Sequence, residues 1–254
     1  MKRRFIAALV LTLATLGAGT AASAADIKVL TAGAYKSALL ALLPAFEQQT
    51  GHKVSVQNDT AGALARRIRS GEAFDLVVLT TGAVDELVRS GELAAGTPAA
   101  LARVGIGVAV KKGQALPDVS TTAAFRQTLL SARAVAYIDP KAGGTSGIYL
   151  AQLFEKMGIA AQITPKAVLV PGGYTAERLV TGEADIAVQQ MSELVAVSGA
   201  QVVGPLPSEV QNYTIYSGAI SSKAAERAAA MQLLAALQQP GGRALLEERG
   251  LMLP

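Results

Sequence analysis

The chemistry most legible in this chain is the capture of an anion by backbone. Residues 61–78 read AGALARRIRSGEAFDLVV, and residues 172–188 read GGYTAERLVTGEADIAV. Each copy runs from small residues into a helical stretch, then Gly-Glu-Ala, then an Asp (Asp75, Asp185) and an apolar strand. Small residues leading into a helix leave its first N–H groups open at the positive end of the helix dipole, which suits a bound anion. One such loop in each half of a chain suggests two lobes gripping one ligand. A third loop, residues 139–147 (DPKAGGTSG), also opens a helix. No Lys follows its glycines as a phosphate loop requires, so nucleotide hydrolysis is not indicated. Thr145, Ser146 and Gly147 there, and Gly172, Gly173 and Tyr174 in the second copy, are candidate ligand contacts. Asp75 and Asp185 are read as pins for their turns rather than reacting groups.

The elements that must position these loops follow from periodicity. Residues 27–31 form a strand and 35–49 a helix with Leu39, Leu42, Leu43 and Phe46 on its apolar face. Strand 53–57, helix 63–70, strand 75–79 and a helix to about residue 90 complete a β-α-β-α-β-α run, the signature of a mostly parallel sheet with helices on both faces. Ligands in such sheets sit beyond the carboxyl ends of the strands. That places loops 32–35, 59–62 and 80–82 at the site, with Ala34, Tyr35, Thr60, Ala61, Gly62 and Thr80 as candidate contacts. Residues 103–110 read as a strand crossing to a second unit of the same kind, and a return crossing falls near 204–212. The expected division is one lobe of residues 25–105 and 205–254, another of 106–204, and a hinge of two crossings that closes on a ligand. The fold class is α/β, two-lobed.

Residues 1–24 read as a cleavable secretory leader: Lys2, Arg3 and Arg4, a short apolar run, then Ala22-Ser23-Ala24 as the processing site. Cleavage one residue later, after Ala25, fits the same rule. A periplasmic destination is expected, with no membrane span after cleavage. Removing the three leader charges from 23 basic residues leaves 20 against 19 acidic ones, so no basic surface for nucleic acid is indicated. The chain has no Cys, which excludes disulfides and thiolate chemistry. His52 is its only His and is read as an exposed turn residue; no metal site or cofactor is expected. No Ser-His-Asp set is present, and nothing demands more than a monomer.

The order of VLTAGAYKSAL, TAGALARRIRSG, Asp139-Pro140, Ser146-Gly147-Ile148-Tyr149, the Gly182–Asp185 turn and the Gly250-Leu251 ending resembles the molybdate-binding (ModA-like) group of periplasmic solute-binding proteins. The resemblance covers the whole mature chain. It implies the type 2 periplasmic binding fold, a small anionic ligand and delivery to an ABC permease in the inner membrane. Its ligand positions map here onto Ala34 in place of a Ser, Thr60 as a retained hydroxyl, and Gln190 in place of a Tyr. Amides, glycines and Tyr35 in place of hydroxyls point to a larger or organic anion such as a carboxylate, because amides both donate and accept. Aconitate isomerases are similar to the same group. That activity would need a base near a substrate carbon, for which Asp59, Glu193 and Tyr35 are candidates, and Lys36 and Arg66 could supply charge.

Overall fold

The computed structural model describes residues 24–254; the expected leader, up to its last residue, lies outside them. The first half contains β1 (Asp26–Ala32), α1 (Gly33–Thr50), β2 (Lys53–Asp59), α2 (Ala61–Arg69), β3 (Leu76–Thr80), α3 (Thr81–Arg89) and the long β4 (Ala99–Lys111). Then come α4 (Thr122–Ser131), β5 (Val135–Ile138), α5 (Thr145–Lys156), α6 (Ala160–Ile163), β6 (Ala167–Val170), α7 (Glu177–Val180), β7 (Ile186–Gln190), α8 (Met191–Val195) and β8 (Ala200–Pro205). The chain ends with β9 (Tyr213–Ile220), α9 (Arg227–Gln238) and α10 (Pro240–Glu247).

The pairing is parallel where helices connect the strands. β1 pairs with β2 and β3, and β5 with β6 and β7, all parallel. β4, β8 and β9 add antiparallel pairs. The strand order β2-β1-β3-β9-β4-β7-β5-β6 runs through β4 from one lobe to the other. Residues 99–105 of β4 pair with β9, and residues 106–109 pair with β7. The apolar cores divide at the same point. Val104 packs with Val29, Leu76, Tyr216 and Leu233, whereas Ile106 packs with Phe125, Val135, Leu153 and Val188.

The return crossing runs between β8 and β9, within residues 204–212. Leu206 and Val210 pack in the second core, and the Leu206 N–H donates to the Ile106 carbonyl at 3.0 Å. Tyr216 of β9 then packs in the first core. Beside this crossing the Gln211 side chain takes the place of a strand partner for Ile106. Its Oε1 accepts the Ile106 N–H at 2.8 Å, and its Nε2 donates to the Ile106 carbonyl at 2.9 Å.

The repeated module has the same architecture in both lobes. Asp75 accepts the backbone N–H of Lys28 at 2.8 Å, and Asp185 accepts that of Arg133 at 2.7 Å. Each carboxylate thus ties the turn after its helix to the chain just before, or at the start of, a neighbouring parallel strand. Asp75 also accepts the N–H of Glu226 at 2.9 Å, which anchors the approach to α9. The expected exposure of His52 is not found. It is 3 % exposed, its Nδ1 accepts the Ala25 N–H at 3.1 Å, and its Nε2 meets Gln232 Oε1 at 3.2 Å. The turn after α1 is covered by the start of β1 and by α9, which no local pattern announces.

The two copies differ in burial, which predicts unequal costs. Asp75 is 4 % exposed, whereas the Asp185 side chain is 40 % exposed and shares Arg133 with water. Asp75→Ala should lower unfolding free energy by about 3 kcal/mol, because buried N–H groups lose a charged acceptor. Asp185→Ala should cost about 1 kcal/mol. Urea unfolding of both variants checks the difference.

Candidate functional site: a cleft between the lobes

The cleft lies where the carboxyl ends of β1 and β2 face those of β5 and β7. It is lined from the first lobe by Ala32, Gly33, Ala34, Asn58, Asp59, Thr60, Ala61 and Tyr216, and from the second by Ile138, Gly144, Thr145, Ser146, Gly173 and Glu193. Two helices begin in its wall without a side-chain cap: α1 after Ala32 and α5 after Gly144. Their leading N–H groups have no acceptor within their own helix, so the wall is electropositive without a side-chain cation. α2 differs, because Thr60 Oγ1 caps it by accepting the Ala63 N–H at 3.1 Å.

Small residues let the lobes approach through backbone. The Gly62 N–H donates to the Gly143 carbonyl at 3.0 Å, and Thr60 Oγ1 donates to the Ala142 carbonyl at 2.6 Å. A Cβ at Gly62 would stand 2.9 Å from Gly143 Cα, closer than side-chain carbons tolerate. Ser192 Oγ donates to the Ala34 carbonyl at 2.7 Å, and Lys36 Nζ lies 5.8 Å from the centre of the Tyr174 ring. The lobes are therefore closed on one another.

Glu193 is the unusual group. It stands on α8 with 8 % of its surface exposed, and it lines the cleft opposite the start of α1. A Cβ at Gly33 would come within 2.5 Å of its Oε1, so a side chain there would make the carboxyl shift from this position. Burial pushes the Glu193 carboxyl up to about 8, against the pull of the Gln189 amide, which favours the charged form. No salt bridge compensates it among the described residues. Asp59, the other acid in the cleft, is already engaged. Its Oδ1 accepts the Thr60 N–H at 2.8 Å, and its Oδ2 lies 3.6 Å from Arg67 Nη1.

The other candidate contacts fall in different places. Ala34, Thr60, Ala61, Thr145, Ser146 and Gly173 line the cleft. Gly62 belongs to the closing seam, and Gly172 flanks it, where a Cβ would stand 3.9 Å from Asp59 Oδ1. Lys36 and Tyr174 meet at its rim. Tyr35 is not in the lining; it is 1 % exposed in the first lobe's core, where burial raises its phenol and disqualifies it as a base. Gly147 packs against β5, because a Cβ there would overlap the Ile138 carbonyl. Thr80 caps α3 and lines a separate groove with Tyr149 and Tyr213. Gln190 lies behind the wall. Its Nε2 donates to Thr145 Oγ1 at 3.2 Å and to Thr214 Oγ1 at 3.1 Å, while its Oε1 has no partner among the described residues. Arg66 lies outside the lining, with Nη2 3.5 Å from the Ala142 carbonyl.

Sequence reasoning missed Gly33 and Gly144, whose value is the space they leave, and Tyr216. Tyr216 sits in an alternating strand far along the chain, a pattern that signals packing alone. Among the described residues no group of three or more His, Asp or Glu could hold a metal ion, and no helix is long and apolar enough to cross a membrane.

The family model described as bacterial extracellular solute-binding protein matches residues 27–252. The chain belongs to this family. It is similar to an aconitate isomerase from Pseudomonas sp, with 35% identity over 231 residues that cover 89% of this chain and 87% of that protein. Among solved structures it is similar to the Azotobacter vinelandii periplasmic molybdate-binding protein, with a TM-score of 0.76, 20% identity, and coverage of 90% of this chain and 99% of that one. It is also similar to Campylobacter jejuni PEB3 with L-phospholactate bound, with a TM-score of 0.68, 12% identity, and coverage of 90% and 100%. The fold is that of the type 2 periplasmic binding proteins.

The burial of Glu193 predicts how stability depends on pH. A carboxyl at about 8 in the folded chain and near its ordinary value of 4.5 in the unfolded chain binds more protons when folded. Stability from this group is complete below about 4.5 and is lost as pH rises through about 8, a total of about 5 kcal/mol. Glu193→Gln is neutral throughout. It should therefore unfold at higher urea than the parent at pH 9, with the difference shrinking steadily towards pH 5.

Proposed function

We propose that this chain is an exported isomerase of the aconitate type, which binds a tricarboxylate between its lobes and moves a proton across the allylic system. The observation that carries this reading is Glu193: a buried carboxyl without a cationic partner among the described residues, facing uncapped helix starts in a closed cleft. Pure capture of an anion gains nothing from an acid in its wall, because the ionised form repels the ligand. A proton transfer needs such a group, with its affinity for protons brought close to the working pH. The similarity to an aconitate isomerase supports the same substrate class.

In the reaction, ionised Glu193 takes a proton from the methylene carbon beside one carboxylate. The electron pair left behind spreads over the allylic carbons and into a carboxylate. There the N–H groups at the starts of α1 and α5 stabilise the growing charge, which is stronger in a water-excluded site. Glu193 then returns the proton to the far allylic carbon, and the double bond shifts. Substrate and product have the same atoms and oxidation state, so no co-reactant is required. Closure through the Gly62–Gly143 seam keeps water from the intermediate.

A second reading is capture for an ABC permease by a monomer, favoured by the likeness to a molybdate-binding protein and by a seam made for closing on a ligand. One experiment separates the two. The mature chain is incubated with trans-aconitate and followed by NMR. The isomerase reading expects cis-aconitate to appear, with kcat/KM rising about tenfold per pH unit below about 8, where Glu193 is protonated. Glu193→Gln should reduce turnover by about 10²–10⁴ and still bind the tricarboxylate. Binding without conversion, or submicromolar selectivity for molybdate over carboxylates, would favour the transport reading.

A further inference from the structure

The proton transfer proposed above leaves one requirement open: a donor that stays protonated while its neighbour Glu193 ionises. We propose that Tyr216 is that group, a catalytic hydrogen-bond donor to the substrate carboxylate that takes up negative charge; this inference rests on the isomerase reading. Tyr216 reaches the cleft from β9, on the opposite lobe from Glu193, and is 2 % exposed.

Its surroundings leave the phenolic hydrogen uncommitted. The hydroxyl oxygen lies 3.5 Å from Thr145 Oγ1, long for a bond between hydroxyls, which usually close to about 2.8 Å. Thr145 is itself oriented by Gln190 Nε2, which also holds Thr214. Both Nε2 hydrogens of Gln190 are used by Thr145 and Thr214, and because Thr145 Oγ1 accepts from Gln190, its own hydrogen is free to point at the Tyr216 oxygen. The oxygen is thus supplied from behind, and the hydrogen is left for the cleft. Burial, and secondarily the charge of Glu193, drive the phenol far above its ordinary range. Tyr216 therefore donates at every pH at which Glu193 can act as a base. A donor already placed and desolvated needs no reorganisation when charge develops, and removing one such group from comparable sites costs about 10²–10³ in rate. Tyr35, equally buried, lies in the core and cannot serve.

Tyr216→Phe keeps the ring and its packing, and removes only the hydroxyl. With trans-aconitate, kcat should fall about 10²–10³ while KM changes by less than about threefold, and the rise of activity through pH 8 should persist, because it belongs to Glu193. A variant with parental kcat, or one whose loss lies wholly in KM, overturns the role of Tyr216 while leaving an active parent and the isomerase reading intact. A parent that binds trans-aconitate without converting it overturns the reading beneath it as well. Site-specific 3-fluorotyrosine at position 216 keeps the hydroxyl and strengthens it as a donor. Its kcat should match or exceed the parent's, and a loss comparable to that of Tyr216→Phe would show that packing, not hydrogen bonding, is at stake.

Discussion

The cleft depends on β4 being one unbroken strand that serves two sheets. Its first residues close the first lobe against β9, and its last residues close the second against β7 and β8. The two cores meet at Gly105 and Ile106 without mixing, since each takes the side chains on its own part of the strand. A strand bonded along both halves is stiff within each lobe and can bend only where the pairing changes partner. The Gln211 amide satisfies both backbone groups of Ile106 at that point, so the crossing carries no orphaned N–H or carbonyl at Ile106. The seam on the opposite side joins Gly62 to the Gly143 carbonyl through backbone and Thr60 Oγ1 to the Ala142 carbonyl.

That arrangement explains the electrostatics of the site. Cations are kept out of its lining, and positive potential comes from the starts of α1 and α5. Arg67, beside the cleft residue Asp59, is occupied by Glu72 and Asp59. A lysine or arginine inside would pair with Glu193 and hold it ionised and inert. Backbone dipoles stabilise an anion more diffusely, and leave Glu193 without a fixed cationic partner among the described residues. The glycine at position 33 has the same logic, because any side chain there would displace the carboxyl.

The two copies of the helix–turn–strand module show how a repeat diverges in use. Both keep the Asp that ties the turn to the chain near a neighbouring strand. Only the first is capped by a hydroxyl, and only the first begins a full helix of nine residues; α7 is a four-residue turn. Gly173, at the start of the second copy, lines the cleft through its backbone.

Amino-acid order alone determined the elements and the loops that face the ligand. Alternating strands and helices, small residues after β1 and β2, and the Gly-rich run before α5 are local features, and local pattern reports them. Residues of the loops 32–35 and 59–62 and of the Gly-rich run 139–147 line the cleft, whereas Thr80 of the loop 80–82 lines a separate groove. What no local pattern carries is which side chain ends up dry, and beside what. His52 looked like a turn residue until the start of β1 and Gln232 covered it. Tyr35 looked like a loop contact, yet its helix turns it into the core. Tyr216, in an ordinary strand, reaches the cleft only because β9 lies between β3 and β4. Glu193 was one of three candidate bases in the sequence, with nothing local to set it above Asp59 or Tyr35. Its chemistry comes from desolvation at the seam between lobes, a property of distant surfaces brought together rather than of the residues beside it in the chain.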